Sequence, residues 1–318
     1  MRRSGFTGAV LVAVLFSAVW VVGQEFSAEG PYLGQEPPGM AAEVFAPWLF
    51  DADESAGCSG FLDDGEVFVF SSGKTGGDWR FGPIRMTELE NGMWTEPRIA
   101  PFNDFMPYNF TVGPASRTIW FTSMKSPDTT TSQLLEQANI WAVTRVGEGW
   151  TEPVMLGASL NTDKYYENYP TVSKDGTVYF MSWRPGSVGR TDIYRSRNMD
   201  GKYAGAENMG PPVNSTESDQ DPFIAPDGSY LIVCLTGRDD SLGGYDLYVS
   251  FAEEDGSWSE PVNLGEGVNT PGPEFRPYVT QDGKYLFFTG LAPDDDTIGR
   301  IFWVSAEVIE VARAAQGD

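Results

Sequence analysis

The sequence predicts an all-β protein, folded as a β-propeller of five four-stranded blades. A phrase of the form aromatic-x-Glu-Pro recurs about every 55 residues, at Trp94, Trp150, Trp258 and, in a worn form, Tyr203. Short apolar runs also flank repeated Asp-Gly pairs, which is typical of tight β-hairpins. Finally, residues 24–305 have no convincing helical periodicity.

The chain begins with the features of a secretory signal peptide. Two arginines form a cationic start, and the apolar run 8–22 that follows is shorter than the roughly 20 residues of a bilayer span. Small residues precede a cleavage point near Gly23/Gln24. We therefore expect removal of residues 1–23, no membrane span after cleavage, and a periplasmic or secreted protein.

The rest of the chain, residues 24–318, is predicted to form a single propeller domain. The expected elements are a closing strand near 34–45, blades at 45–100, 101–156, 157–210, 211–264 and 265–305, and a short C-terminal tail. Within the tail, residues 307–315 are the one stretch with a helical pattern.

Each unit has the same internal order. Its first two strands flank an Asp-Gly turn, such as Asp175-Gly176, where glycine supplies the positive φ that a tight hairpin requires. Asp192 and Asp246 then open third strands, and we expect their carboxylates to accept hydrogen bonds from loop amides. The Trp-x-Glu-Pro phrase is predicted as the outer strand, because proline is tolerated at an unpaired edge.

The last unit lacks a fourth strand, because the repeat stops at Ser305. Residues 34–37, Gly-Gln-Glu-Pro, carry the Glu-Pro of the repeated phrase. We predict that they form the missing strand and close the ring, which removes the exposed edges of an open array. A six-bladed ring with a degenerate blade in 38–60 remains the alternative.

The composition excludes several kinds of site. The 318 residues contain 45 acidic and 21 basic side chains, a net charge of −24, and no histidine. Without imidazole, histidine-dependent catalytic triads and histidine-bound metal centres are impossible. The negative charge also argues against nucleic acid as a partner, because it repels phosphate backbones.

Three stretches resemble a known repeat family: residues 169–176, 184–194 and 258–270. They look like the WD-repeat-like β-propeller repeats of exported bacterial proteins, such as TolB-like propellers and propellers fused to OmpA-type peptidoglycan-binding domains. The resemblance covers residues 34–305. It implies a propeller fold and a binding role outside the cytoplasm, and it implies no catalytic residue.

We expect function at one rim of the disc, where first strands begin and second strands end, opposite the Asp-Gly turns. Three carboxylates lie three residues before the repeat proline: Glu167, Asp219 and Glu274. Three cations follow the second strands: Lys125, Arg184 and Arg238. An insertion adds three tyrosines: Tyr165, Tyr166 and Tyr169. Because equivalent positions of a propeller lie on a ring, these side chains should surround one mouth of the central channel.

Three interpretations of this rim stay open. Ion pairs between blades would form a structural belt, although each exposed pair contributes only about 0–1 kcal/mol. A recognition surface would bind an envelope protein, a peptide or a glycan through tyrosine stacking and charged hydrogen bonds. A glycoside hydrolase would use two carboxylates as its acid and base. We expect binding by a monomer rather than catalysis, with no cofactor, although the acidic rim leaves a structural Ca²⁺ open.

Overall fold

The computed structural model describes residues 28–75, 82–128, 130 and 133–316. They form five antiparallel sheets arranged as the blades of a β-propeller, which confirms the predicted fold class and blade number. The alternative of a sixth blade is therefore wrong, because residues 38–60 supply the closing strand and the start of blade one. The predicted signal peptide, residues 1–23, lies outside the described residues.

The first strand of the chain, β1 (Glu43–Val44), belongs to blade five. Blade one contains β2 (Glu54–Leu62), β3 (Val67–Lys74), β4 (Ile84–Glu90), β5 (Met93–Trp94) and β6 (Arg98–Ile99). Blade two contains β7 (Tyr108–Val112), β8 (Thr118–Lys125), β9 (Leu134–Val146), β10 (Gly149–Trp150) and β11 (Val154–Met155).

Blade three contains β12 (Glu167–Val172), β13 (Val178–Ser182), β14 (Asp192–Ser196), β15 (Asn198–Met199), β16 (Lys202–Tyr203) and β17 (Glu207–Asn208). Blade four contains β18 (Asp219–Ile224), β19 (Tyr230–Leu235), β20 (Asp246–Phe251) and β21 (Val262–Asn263). Blade five contains β22 (Phe275–Val279), β23 (Tyr285–Ala292) and β24 (Asp295–Ser305), and β1 is its fourth strand. The first strands of successive blades contact one another, including β22 with β2, so they surround a common axis.

The ring is closed by an N-terminal strand, as predicted, but not by residues 34–37. Glu43 pairs with Trp303 in the closing sheet, whereas Pro31–Gly34 forms a 3-10 turn. The position of the closing strand follows from Phe45, which is fully buried and packs its ring against Phe287 and Trp303 at 4.9 and 5.0 Å. A large ring that fills the core therefore fixes the register of the strand beside it.

The Trp-x-Glu-Pro phrase does not form the outer strand itself. Its aromatic residue ends a short hairpin in blades one and two, and the two-residue outer strand begins directly after the proline, at Arg98 and Val154. Proline therefore separates the hairpin from the edge strand, where its missing N–H would have interrupted pairing.

The predicted turns and loop anchors are confirmed. Gly176 has a φ of 83° at its hairpin turn, and Asp175 accepts the Thr177 amide at 3.0 Å. Asp192 accepts the amides of Val188 and Gly189 at 2.6 and 2.9 Å. Asp246 does the same for Leu242 and Gly243. These aspartates stabilise loops, as expected from their repeated positions.

A β-bulge interrupts the first strand of every blade, and it decides which side chains reach the axis. The first extra residue of the bulge has a positive φ in blades two to five. These residues are Asn109 (46°), Tyr169 (50°), Asp221 (47°) and Arg276 (57°). Left-handed backbone is uncommon for such residues, and a bulge turns the side chain away from the regular alternation of the strand.

One α-helix, α1 (Glu307–Ala315), follows the propeller at the stretch where the sequence has its helical pattern, and it packs against β20 and β21. Among the described residues, no helix is long and apolar enough to cross a membrane. Short 3-10 helices lie at Pro31–Gly34, Pro47–Leu49, Asp63–Gly65 and Asn103–Phe105.

Candidate functional site

The bulge residues of blades two to five meet at the axis and line one pocket of about 470 Å³, the axial pocket. Its other lining residues are Tyr108, Tyr166, Asn168, Met181, Gln220 and Phe275. The pocket lies where first strands begin, on the face where we expect function. Beneath it, the space between Pro170, Pro222 and Pro277 narrows to about 10 Å³, so the pocket has a floor.

Hydrogen bonds fix the polar side chains of the axial pocket, in part across blade boundaries. The Asn109 amide donates to Asn168 Oδ1 at 3.0 Å, and the Thr122 hydroxyl donates to the same oxygen at 2.8 Å. Gln220 Nε2 donates to the Tyr245 hydroxyl at 2.9 Å. The amide groups are therefore held in place before any ligand arrives, which lowers the entropic cost of binding.

A buried cluster of Asp221, Arg276 and Tyr169 forms one wall of the axial pocket. Arg276 Nε donates to the Tyr169 hydroxyl at 2.8 Å, and the Arg276 backbone amide donates to Asp221 Oδ2 at 3.2 Å. Burial raises the pKa of Asp221 to about 7, and the positive charge of Arg276 opposes that rise. The Asp221 carboxyl can thus take up or release a proton near neutral pH.

Two of the three predicted tyrosines, Tyr166 and Tyr169, line the axial pocket. The ring of Tyr165 instead contacts Trp183 edge-on, with ring centroids 5.4 Å apart, and Tyr166 lies 6.2 Å from the same indole. Trp183 is 44% exposed. These three rings, Tyr165, Tyr166 and Trp183, form an aromatic ledge that leads from the surface into the pocket.

The three predicted carboxylates do not form an exposed ring around the mouth. Glu167, Asp219 and Glu274 are 0%, 0% and 1% exposed. Each accepts hydrogen bonds from the backbone amide and the hydroxyl of a threonine or serine four or five residues earlier. The repeat places the carboxylate beneath the loop that enters its blade, where it satisfies loop donors, so the side chain cannot also face solvent.

The three predicted cations lie outside the axial pocket as well. Arg184 forms an ion pair of 2.6 Å with Glu167, within blade three. Arg238 lies 5.5 Å from the ring centroid of Tyr248, and Lys125 donates to the Asp104 carbonyl at 2.6 Å. Their groups are thus engaged within their own blades and loops.

The expected belt of ion pairs between blades is not at this rim. Arg145 of blade two instead pairs with Asp63 and Glu88 of blade one, at 2.8 and 2.9 Å. Asp63 precedes the Asp-Gly turn of blade one, so this network lies toward the opposite face. The Glu167–Arg184 pair is local and does not connect blades.

The sequence interpretation missed Asn109, Asp221 and Arg276, although a signal for the last two exists. The residue directly before the repeat proline is Tyr169 in blade three, Asp221 in blade four and Arg276 in blade five. The surrounding phrase stays nearly constant while this one position changes chemistry. Within a structural repeat, such a position is not explained by the fold and indicates a site.

A second cavity, of about 280 Å³, lies on the opposite face among Tyr32, Phe61, Gln281 and Asp282. The Tyr32 hydroxyl donates to Asp282 at 3.3 Å, so the N-terminal segment covers part of this mouth. The described residues contain no group of three or more acidic or cysteine side chains placed to hold a metal ion.

No family model matches the chain, and no curated protein matches it. Among solved structures, a glycoside hydrolase is similar with a TM-score of 0.53 and 14% identity, over 85% of this chain and 92% of that one. A complex of BT0996 with RGII has a TM-score of 0.52 and 13% identity, over 87% of this chain and 91% of that one.

TolB from Acinetobacter baumannii has a TM-score of 0.48 and 12% identity, over 81% of this chain. The match spans 59% of the TolB chain, which is less than two thirds of its length. The solved structures thus include a TolB protein, while no family model supports membership of a WD-repeat-like family. At these identities, the similarities show a shared fold and no shared activity.

Proposed function

We propose that this protein is an exported β-propeller that binds a glycan of the bacterial cell envelope in its axial pocket. The observation that carries the proposal is the convergence of bulge residues from four blades on one preorganised pocket of about 470 Å³. Strained backbone and bulges concentrate at binding and catalytic sites, because the surrounding fold must maintain them.

The chemistry of the pocket fits a sugar. Its walls combine aromatic rings with the uncharged amides of Asn109, Asn168 and Gln220, which both donate and accept hydrogen bonds. Closely spaced hydroxyl groups need such mixed partners, and the apolar faces of a sugar ring can pack on aromatic side chains. The aromatic ledge continues this surface outward, as a longer saccharide chain would require.

A peptide bound by strand addition is less well supported. That mode needs a free sheet edge of some length, since the main-chain hydrogen bonds provide the affinity. The outer strands of blades one to four have two residues each, and β1 completes blade five. An envelope protein therefore ranks behind a glycan as the ligand, and the protein is proposed to act as a periplasmic or secreted monomer.

The alternative is a carboxylate-dependent glycoside hydrolase. Such enzymes generally place two carboxyl groups across the scissile bond, roughly 5–10 Å apart. Asp221 is the one carboxylate among the described residues that line the axial pocket. Its pKa of about 7 would suit a general acid, but the pocket supplies no second carboxylate as base or nucleophile. Binding without hydrolysis is therefore our proposal.

Binding to a panel of envelope and plant polysaccharides, followed by calorimetric titration with the best oligosaccharide, tests the proposal. We expect the Gln220→Ala variant to bind that oligosaccharide about tenfold more weakly, because a positioned amide is lost from the pocket wall. Gln281→Ala is the matched control. Both glutamines are half-buried and donate one hydrogen bond from Nε2, but Gln281 lines the cavity on the opposite face.

Equal affinities of the two variants would place the ligand outside the axial pocket and contradict the proposal. Release of reducing sugar during the same incubations, abolished in an Asp221→Asn variant, would favour the hydrolase instead. Absence of binding across the whole panel would also count against a glycan ligand.

A further inference from the structure

Blades three and five share a site for a guanidinium group, but only blade three fills it. In blade three, Arg184 Nη2 donates to Glu167 Oε1 at 2.6 Å and to the Leu160 carbonyl at 3.1 Å. The guanidinium carbon lies 5.1 Å from the ring centroids of both Phe180 and Tyr194, which stack on each other. A buried acid and an aromatic pair thus hold one arginine.

Blade five repeats this arrangement at corresponding positions. Glu167 pairs with Ser182 across the first two strands, and the pairing of Phe275 with Thr289 sets Glu274 opposite Gly290 in the same way. The stacked pair Phe180–Tyr194 has its counterpart in Phe288–Phe302, which are also cross-strand partners and stack with centroids 5.6 Å apart. Both the acid and the aromatic pair are therefore retained.

The arginine itself is missing from blade five. Arg184 lies on the connection between β13 and β14, residues 183–191. The corresponding connection in blade five is a tight turn in which Ala292 pairs with Asp295, and it contains no arginine. A cavity of about 120 Å³ remains, lined by Glu274, Phe288, Phe302, Gly290, Leu291 and Val268 among others.

The carboxylate in this cavity is incompletely satisfied. Both hydrogen bonds from Thr270, at 3.1 Å from the amide and 2.6 Å from the hydroxyl, go to Glu274 Oε1. Glu274 is 1% exposed, and its Oε2 has no hydrogen-bond partner among the described residues. A buried carboxylate oxygen without a donor is costly, so it favours a ligand that supplies one.

We propose that this cavity, the guanidinium seat, binds a guanidinium group supplied from outside the blade, such as the side chain of an arginine in a partner polypeptide. A guanidinium is planar, stacks on aromatic rings and donates to carboxylates, which matches the seat better than a compact ammonium. A metal cation would need several oxygen ligands, whereas the seat offers one carboxylate. The exposed residues Ala41 and Thr270 border the cavity, so a side chain can enter from the surface.

Calorimetric titration of the purified protein tests the seat. The probes are methylguanidine, the peptide acetyl-Gly-Arg-Gly-amide, and the same peptide with citrulline or lysine in place of arginine. We expect both guanidinium probes to bind, the lysine peptide to bind more weakly and the citrulline peptide not to bind. Tighter binding of the peptide than of methylguanidine identifies a polypeptide as the natural source, and the reverse order identifies a small molecule.

Two variants assign the binding to this cavity. Glu274→Gln should weaken the arginine peptide about tenfold or more, because it removes the charge. Phe302→Leu, which keeps the carboxylate and much of the apolar volume, should weaken it about threefold. Glu254→Gln, at an exposed position away from the cavity, should change nothing, and neither should Gln220→Ala in the axial pocket.

Equal binding of the arginine and citrulline peptides would overturn the proposal. So would unchanged affinity in both Glu274→Gln and Phe302→Leu. Because the axial pocket and the guanidinium seat are probed by different ligands and variants, failure of one proposal leaves the other standing.

Discussion

At the scale of the residue, identical positions in the repeat have different roles from blade to blade. The residue before the repeat proline is a tyrosine, an aspartate or an arginine, and all three reach the axial pocket through the bulge. The acid three residues before the proline is paired with an arginine in blade three and has one unpartnered oxygen in blade five, among the residues described. Departures from the repeat therefore mark both candidate sites.

The unpartnered oxygen of Glu274 predicts a particular pH dependence of stability. Burial raises its pKa from 4.5 to about 7, and the negative charge of Asp246 adds to the rise. The folded state therefore binds this proton more tightly than the unfolded state, so the side chain lowers stability as the pH rises from about 4.5 to about 7.

Glu274→Gln should remove that loss. We expect the variant to gain about 1–3 kcal/mol over the wild type at pH 8 and far less at pH 5, measured as the difference in urea unfolding free energy. Glu254→Gln serves as the exposed control and should follow the wild type at both pH values. A gain of equal size at pH 5 and pH 8 would contradict the assigned titration.

At the scale of the element, side chains replace missing backbone pairs at the outer edges of the blades. Asn161 accepts the Ile140 amide at 2.8 Å and donates to the Ile140 carbonyl at 3.0 Å. Asn214 and Asn269 do the same for Ile193 and Leu247. Each asparagine thus extends a two-residue outer strand by one ladder position, which explains how such short strands suffice.

The closing strand β1 is equally short, and Phe45 beside it provides most of its attachment. Phe45→Ala should lower the free energy of unfolding by about 3–5 kcal/mol, because it leaves a cavity among Phe61, Phe68, Phe287 and Trp303. Trp48→Ala is the control, since Trp48 lies in the same segment but is 51% exposed. Similar urea midpoints for the two variants would mean that β1 does not hold the ring closed.

At the scale of the whole molecule, net charge and ring closure act against each other. A charge of −24 spread over a ring of five blades repels itself, whereas closure of the ring makes all blades depend on one another. Acidic side chains that anchor loops, such as Asp192 and Asp246, contribute to that charge for structural reasons. The charge therefore reflects the repeat as well as the surface.

Salt should stabilise the molecule, because it screens this repulsion. We expect the melting temperature to rise by roughly 2–5 °C between 10 mM and 300 mM NaCl, at constant pH. The same increase in KCl would identify screening rather than binding of a specific ion. A melting temperature that falls with salt would show that attractive ion pairs, such as those of Arg145, outweigh the repulsion.

The features that repeat along the chain can be predicted from the order of its amino acids. The spacing of the aromatic phrase predicts five blades, and the Asp-Gly pairs predict hairpin turns with a positive φ at glycine. Asp192 and Asp246 are predicted as loop anchors from their position alone, and both are. Such features follow from local geometry, which a periodic pattern reports directly.

The accessibility of each side chain, by contrast, depends on how the blades pack. The first-strand carboxylates look like a rim in the sequence, but they lie beneath their loops because loop amides need acceptors. A bulge, which adds one residue and changes the direction of a side chain, brings Asn109, Asp221 and Arg276 to the axis instead. The empty place of an arginine in blade five is likewise visible only when blades are compared in space, since it depends on cross-strand neighbours that the linear order separates.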